Sequence, residues 1–377
     1  MRNSERFAVL LGTLVLVAGC SAVSTGLPAN SAAAGSGTGR LSRILGDTLV
    51  AALRPDRVRP DHRKSWIAPD IGRAPRLLFI SDYGTNDVDI FTLPDLVLKG
   101  VITGFNEPQG MCSDTSGNVW VTNTGATDIL ELSRTGSVID TLTDPDGYPV
   151  GCAVDPATGN LAVANLFNFT SRPFSSGSGE VEIYVGVAHS GPTSLANPDQ
   201  YYYDFVGYQR GPSSSAKRGT GIAQSNLFVD GETASSAFIL SELTSGSSAF
   251  FTINLSGGTI YIPGLVQWYR IGPYLAVGDQ ECGGVSAACI YDVAISGTTG
   301  TITGSTSLSN PGGGQVCDLV QGVIGAHGLR YVAGGDIGGC GSFGATVDRW
   351  AYPAGGDPTN FNSTVVTDPI GAAISAK

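Results

Sequence analysis

From Leu77 onward, short apolar runs alternate with clusters of Gly, Ser, Thr, Asn and Asp. One kind of run ends on Asp or Asn. It appears as LLFISD (Leu77–Asp82), VWVTN (Val119–Asn123), LAVAN (Leu161–Asn165), LFVD (Leu227–Asp230), LAVGD (Leu275–Asp279) and LRYVAGGD (Leu329–Asp336). Runs of this length, rich in Val, Ile, Leu and aromatic residues and bounded by turn formers, predict β-strands. Their terminal Asp or Asn residues are 41, 42, 65, 49 and 57 positions apart. Ser/Gly/Pro-rich insertions such as Phe174–Ser178 and Gly211–Ala216 stretch the later intervals.

A second kind of run precedes the first and opens on a Gly. The clear copies are PQGMCSD (Pro108–Asp114), PVGCAVD (Pro149–Asp155) and GTGIAQS (Gly219–Ser225); GLVQWYR (Gly264–Arg270) and GQVCDLV (Gly314–Val320) are looser ones. TSGN (Thr115–Asn118) and ATGN (Ala157–Asn160) link the two kinds as hairpin turns. Two further strands follow each Asp or Asn, so each unit has four short antiparallel strands. Period and content match the blade of a β-propeller. The first unit lacks its Gly-opened strand, and DPIGAAIS (Asp368–Ser375) supplies one at the other end. The predicted fold is therefore all-β: a six-bladed β-propeller closed by pairing of the C-terminal strand with the first blade. Closure would remove the open sheet edges that invite aggregation.

The N-terminus is different in kind. Arg2 and Arg6 precede an apolar run, Phe7–Val17, that ends in Val17-Ala18-Gly19-Cys20. This is the layout of a secretory signal, and the run is too short for a comfortable transmembrane helix. The stretch resembles the lipobox of bacterial lipoproteins, which implies lipid attachment at Cys20 and an extracytoplasmic protein anchored to the cell-envelope membrane. The expected organisation is a signal peptide over 1–19, a lipidated cysteine and flexible tether over 20–75 with a short helix at Leu41–Arg54, and the propeller over 76–377.

The 53 Gly residues and the 14% of charged residues fit a loop-rich β-protein. From Arg76 onward there are 11 Lys and Arg against 27 Asp and Glu. So acidic a body argues against nucleic acid as a partner. Only Arg40–Arg73 is basic, with 8 basic against 4 acidic residues; it reads as a solvated linker that could also touch anionic headgroups. With Cys20 assigned to lipid, six cysteines remain, and an even number in an exported chain favours disulfides. Fifteen pairings are possible; the expected ones are Cys282–Cys289, Cys317–Cys340 and Cys112–Cys152.

Pro108–Ser133 and Pro149–Asn165 resemble NHL repeats, whose relatives include the SMP-30/gluconolactonase-like propellers. The resemblance implies that Asp82, Asn123, Asn165, Asp230, Asp279 and Asp336 gather at one mouth of the channel. Each could cap its own turn, which is the leading expectation, or the ring could hold Ca2+ or a polar ligand. In the gluconolactonase-like relatives, metal ligands include positions just before the repeat Gly. Here Gln109, Val150, Thr220 and Ile370 stand there, none a carboxylate or Asn. No catalytic residue is assigned: His327 is a lone turn histidine, GCGSFG (Gly339–Gly344) precedes no helical pattern, and DYGTNDVD (Asp82–Asp89) lacks EF-hand spacing. Tyr201–Tyr203, Phe205 and Tyr208 could form a carbohydrate or peptide platform, with packing of an outer strand as the leading reading. The expected function is a non-enzymatic, monomeric envelope lipoprotein, without a cofactor, that binds a protein, peptide or carbohydrate. The alternative is a metal-dependent hydrolase or lyase of the gluconolactonase-like kind.

Overall fold

The computed structural model describes residues 64–171, 175–186, 190–209, 225–269, 274–285, 287–325, 330–338 and 344–376. The signal, Cys20, the Leu41–Arg54 helix, the expected tether as far as residue 63, Thr220, His327 and Cys340 lie outside the described residues; the rest of the expected tether is not a free linker, since Trp66–Ile67 pair with Gly100–Val101 and Ile71 is buried in the core.

Twenty-five strands follow one another along the described chain. The first twelve are β1 (Trp66–Ile67), β2 (Arg76–Asp82), β3 (Asp87–Thr92), β4 (Leu98–Thr103), β5 (Pro108–Ser113), β6 (Val119–Asn123), β7 (Asp128–Leu132), β8 (Val138–Thr143), β9 (Gly147–Val154), β10 (Leu161–Ser171), β11 (Ser175–Val185) and β12 (Ser190–Leu195). The rest are β13 (Tyr202–Tyr208), β14 (Leu227–Glu232), β15 (Phe238–Leu243), β16 (Phe251–Ser256), β17 (Pro263–Trp268), β18 (Tyr274–Asp279), β19 (Cys289–Ser296), β20 (Thr299–Ser307), β21 (Val323–Gly325), β22 (Tyr331–Asp336), β23 (Thr346–Ala351), β24 (Asn360–Asn362) and β25 (Pro369–Ala376).

They form five sheets. Three are four-stranded: β5-β6-β7-β8, β9-β10-β11-β12 and β21-β22-β23-β24. A fourth, ordered β1-β4-β3-β2-β25, takes its last strand from the far end of the chain. The fifth has eight strands, but β13–β16 and β17–β20 are separate antiparallel runs joined only by a three-residue parallel pairing of β16 with β20. The C-terminal strand pairs antiparallel with β2 from Arg76↔Ala376 to Asp82↔Pro369.

Burial grades along each sheet as the residue types require. β2, β6, β14 and β22 are apolar on both faces and almost wholly buried, because sheets pack against both of their faces. β8, at an outer edge, is mostly exposed, with Val138 and Ile139 among the exposed side chains. The sheets contact one another through apolar clusters. Leu77, Phe79 and Ile90 meet Met111 and Val121; Trp120 and Ile129 meet Cys152, Leu161 and Val163. The last four-stranded sheet closes onto the first through Tyr331, Ala333 and Val347 against Leu78, Ile80, Phe91 and Ala372. Each such side chain is worth about 1.5–3 kcal/mol when buried, so the contact between the chain's two ends is a full core and not a loose abutment.

Two expected strands are elsewhere. The inner neighbour of β14 is β13, not Gly219–Ser225, so Tyr202, Tyr203, Phe205 and Tyr208 belong to an inner strand and not an outer one. The segment Gly314–Val320 is not a strand; β21 begins later, at Val323, and is three residues long.

Candidate functional site

Six strands lie innermost in their sheets or runs: β5, β9, β13, β17, β21 and β25. Neighbouring members come very close together. A Cβ on Gly110 would overlap the Val150 carbonyl oxygen and Gly151; one on Gly151 would overlap the Asp204 carbonyl; one on Gly207 the Val266 carbonyl; and one on Gly371 the Gln109 carbonyl. This close backbone approach is why Gly110, Gly151, Gly207 and Gly371 carry no side chain. Ser81 and Gly371 add a polar link: Gly371 N donates to Ser81 Oγ at 2.8 Å, and that hydroxyl donates to the Gln109 carbonyl.

The second halves of these six strands wall a cavity of about 760 Å3. That volume lies within the range of small-molecule sites. Gln321 sits at its base and uses its whole amide. Its Nε2 donates to Met111 O at 2.9 Å, while Oε1 accepts from Met111 N at 2.8 Å and Ala372 N at 3.3 Å. Gln267 does the same in the wall, donating to Ile324 O at 3.0 Å and accepting from Ile324 N at 2.8 Å. The free edges of β5 and β21, which have no further strand to pair with, are thus satisfied by glutamine amides.

Charge and aromaticity in the cavity are specific. Arg76 and Arg330 line it, together with Tyr208, Trp268, Tyr269 and Tyr331. Burial pushes the Tyr331 hydroxyl up, and Arg76 and Arg349 oppose that; Arg349 stacks over the Tyr331 ring at 4.8 Å. Burial pushes Tyr269 up to about 12, with Asp292 adding to the rise and Arg330 working against it. Tyr269 and Tyr352 both donate to Asp292 Oδ1 at 2.7 Å. The one carboxylate lining the cavity among the described residues, Asp114, accepts the N–H groups of Ser116 and Asn118 at 2.8 and 2.7 Å. Two arginines therefore face one carboxylate already engaged in a turn, inside an acidic chain.

The six Asp and Asn residues named from sequence stand beside the openings of the inner strands, away from the cavity; Asp82, Asn123, Asp279 and Asp336 end their strands, while Asn165 and Asp230 lie within β10 and β14. Asp82 faces Pro369, Asn123 faces Pro108, Asn165 faces Pro149 and Asp279 faces Pro263. Proline has no N–H, so the ladder is broken there. Instead the side chain takes N–H groups from the segment entering the inner strand. Asp82 accepts from Thr367 and Asp368 at 2.7 and 3.0 Å, and from Gly84 and Thr85 in its own turn. Asn123 Oδ1 accepts from Asn106 N at 2.6 Å. Asp230 accepts from Phe205 N, Asp279 from Tyr261 and Ile262 N, and Asp336 from Cys317 and Gly338 N. Burial raises the pKa of Asp82, Asp230, Asp279 and Asp336, and these backbone donors hold it down. Asn165 is different: it is fully buried, its Oδ1 takes no backbone N–H, and its amide lies against the Asp144 carboxylate instead.

The acidic loop Asp82–Asp89 brings three buried carboxylates, Asp82, Asp87 and Asp89, within 4.8 Å of one another. The position before the repeat Gly of β13 is Val206 and not Thr220, so Gln109, Val150, Val206 and Ile370 occupy these places. Two disulfides are formed among the described residues, Cys112–Cys152 between β5 and β9 and Cys282–Cys289 across seven residues. Cys317 is also disulfide-bonded. Such cross-links are the mark of an oxidising, extracytoplasmic compartment.

Sequence reasoning missed the cavity residues Arg76, Gln267, Gln321 and Arg330. The only signal for them was position, since Gln267 and Arg76 lie on or beside strands that the pattern did find.

No family model matches the chain, and no curated protein does. Solved structures do. A protein of unknown function from Bacteroides caccae is 12% identical, with a TM-score of 0.55, covering 81% of this chain and all of the other. TolB from Acinetobacter baumannii is also 12% identical, with a TM-score of 0.52, covering 82% of this chain and 68% of TolB. At this identity the likeness speaks to fold alone, and the fold it defines is all-β of the β-propeller type.

Proposed function

We propose that the chain is an envelope lipoprotein whose body, residues 76–377, is a six-bladed β-propeller acting as a binding module. The ligand is a small organic anion with an aromatic or apolar body. A lipid on Cys20 would hold the module at the membrane, with residues 20–63 as its tether and Trp66–Ile67 already paired into the first sheet. The observation that carries this reading is the cavity itself: one space of about 760 Å3 walled by all six inner strands, with Arg76 and Arg330 beside Tyr208, Trp268 and Tyr269. Guanidinium groups recognise carboxylate, sulfonate or phosphate, and aromatic walls accept a flat ligand body. No step of chemistry on the ligand is required by this arrangement.

The test is a fluorescence titration with 8-anilinonaphthalene-1-sulfonate, an aromatic anion. The reading expects saturable binding at one site per chain, weakened about tenfold or more when Arg76 and Arg330 are both replaced by Ala. Unsaturable binding, or binding indifferent to both arginines, would sink it.

A further inference from the structure

Successive strands within each antiparallel run alternate in direction, so the body has two ends. Asp82, Asn123, Asp279 and Asp336 stand at one; the cavity opens at the other, where β2 starts at Arg76 and β25 finishes at Ala376. Charge is divided unevenly between them. Apart from Lys64, every described Lys and Arg lies at the cavity end or reaches to it. Arg76 and Arg330 line the cavity, Arg349 lies over the Tyr331 ring, and Arg134, in the turn between β7 and β8, donates to the carbonyls of Ala74 and Ser375. Arg73 lies just ahead of β2, and Lys99, the second residue of β4, is paired with Asp70 at 2.9 Å. The opposite end carries the carboxylates of Asp82, Asp87, Asp230, Asp279, Glu281 and Asp336.

Three observations bear on what meets the cavity end. First, among the described residues no carboxylate pairs with Arg76 or Arg330. Acids near them are engaged: Asp70 by Lys99, and Asp114 and Asp155 by groups of their own turns, with Asp95 left exposed. Second, exposed aliphatic side chains stand at this end. Val97, between β3 and β4, Val138 and Ile139, opening β8, and Val185, closing β11, are 51, 50, 51 and 52% exposed. The ladders place them there: Thr92 pairs with Leu77 beside Arg76, Val138 with Leu132, and Tyr184 with Leu161, which pairs with Val154 of the cavity wall. Third, Tyr261 and Val285 are exposed at the opposite end, but they stand close to Asp279 and Glu281, which repel an anionic surface.

We infer that the cavity end docks on the surface of an anionic phospholipid bilayer, with a lipid phosphate as the anion held by Arg76 and Arg330. The inference rests on the reading of the cavity as an anion site and names the class of its ligand. Basic side chains are drawn to an anionic leaflet, and exposed valine and isoleucine gain by entering its headgroup boundary. Guanidinium groups bind phosphate through paired, charge-assisted hydrogen bonds. Tyr208, Trp268 and Tyr269 offer an apolar wall to the glycerol and the first methylenes behind that phosphate. The carboxylate-rich end then faces away from the membrane. A tether over 20–63 can reach up to about 150 Å, enough for the body to turn this end to the bilayer that anchors it.

Hydrogen exchange of the full-length protein, read by mass spectrometry, tests the docking face. The protein is compared on vesicles of phosphatidylcholine alone and on vesicles with about 30 mol% phosphatidylglycerol. The expected result is exchange slowed about threefold or more on the anionic vesicles in the segments around Val97, Val138 and Val185, with the turns after Asp82 and Asp279 unchanged. Salt at about 0.5 M reverses the slowing. Val138→Asp with Ile139→Asp, at exposed positions, removes it without moving the unfolding midpoint; Tyr261→Asp leaves it intact. A second arm tests the ligand: monomeric dihexanoylphosphatidylglycerol displaces anilinonaphthalenesulfonate from the cavity, whereas inorganic phosphate at the same concentration does not. Equal exchange on the two kinds of vesicle, or slowing at the turns after Asp82 and Asp279, would overturn the docking and leave the small-anion reading standing. Displacement by phosphate as strong as by the lipid would overturn the lipid as ligand. Slowed exchange without any binding of anilinonaphthalenesulfonate would support the docking face and sink the cavity reading beneath it.

Discussion

The backbone N–H of Thr367 donates to Asp82 Oδ2 at 2.7 Å across 285 residues of sequence. Beside it, Asp368 N donates to Oδ1 of the same carboxylate at 3.0 Å. This carboxylate latches the entry of the C-terminal strand onto the first long strand of the body. It repeats what Asn123, Asp230, Asp279 and Asp336 do within their own units, with the difference that here the two segments come from opposite ends of the chain. A local turn motif has become the clasp of the whole fold.

Replacing Asp82 by Ala removes the acceptor for four N–H groups. The expected cost is about 3 kcal/mol or more, since bonds to a charged acceptor are worth about 1.5–3 kcal/mol each and burial of the carboxylate offsets part of that. Asp82→Asn keeps one acceptor oxygen and is expected to fall between. Urea denaturation of the three proteins checks the order. An Asp82→Ala protein as stable as the wild type would remove the latch from the account.

Gly110 marks one of the close approaches between inner strands. A methyl group there meets the Val150 carbonyl and the Gly151 backbone, with no flexible side chain to yield. Gly110→Ala is expected to cost about 1–3 kcal/mol by overpacking. Gly191→Ala, at a position with nothing within 4 Å, should leave the unfolding midpoint nearly unchanged. Equal effects from the two substitutions would mean that the inner strands are less closely packed than described.

The inner strands also explain how far the sequence could be read. The Asp- and Asn-ended runs were legible because both faces of β2, β6, β10 and β14 are buried, which forces unbroken apolar runs. Proline and glycine announced β5, β9, β17 and β25 for steric reasons now visible. β13 escaped because it opens on Tyr202 and Tyr203 without Pro-x-Gly, although Gly207 holds the place of the repeat glycine against Val266. β21 escaped because its approach is irregular: Cys317 N is held by Asp336, and Gln321 turns inward to serve β5. The Asp and Asn series was visible as a repeat, but a repeat does not distinguish a ligand ring from a set of backbone latches. The cavity was hidden for a different reason. Its walls come from six places spread between Arg76 and Ala376, and only the ring order brings Arg76 near Tyr331 and Arg330 near Tyr269.

Buried acids give the stability a definite pH dependence. Burial pushes Asp348 up to about 7, with neighbouring Asp336 adding to the rise and Thr346 opposing it. A carboxyl whose folded pKa is raised binds its proton more tightly in the folded state. The folded state is therefore favoured below the unfolded value, near 4, and loses that advantage as pH rises to about 7. In EDTA, the unfolding midpoint should fall between pH 5 and pH 8 (a range of about three units around the shifted group). Asp348→Asn should flatten the fall, because the amide resembles the protonated acid. A midpoint that rises over this range, or a slope unmoved by Asp348→Asn, would contradict the assignment.

The cavity exists only if the C-terminal strand completes the wall between β21 and β5, so closure is the claim on which the rest depends. Hydrogen exchange of the backbone amides of β25, compared with those of β2 in the same native protein, measures it directly. The account predicts that the amides of Ala372 to Ala376 that pair with β2 exchange only on global unfolding, with the same protection as Leu78 and Ile80. Exchange of the β25 amides at the rate of a frayed terminus, while β2 stays protected, would contradict it.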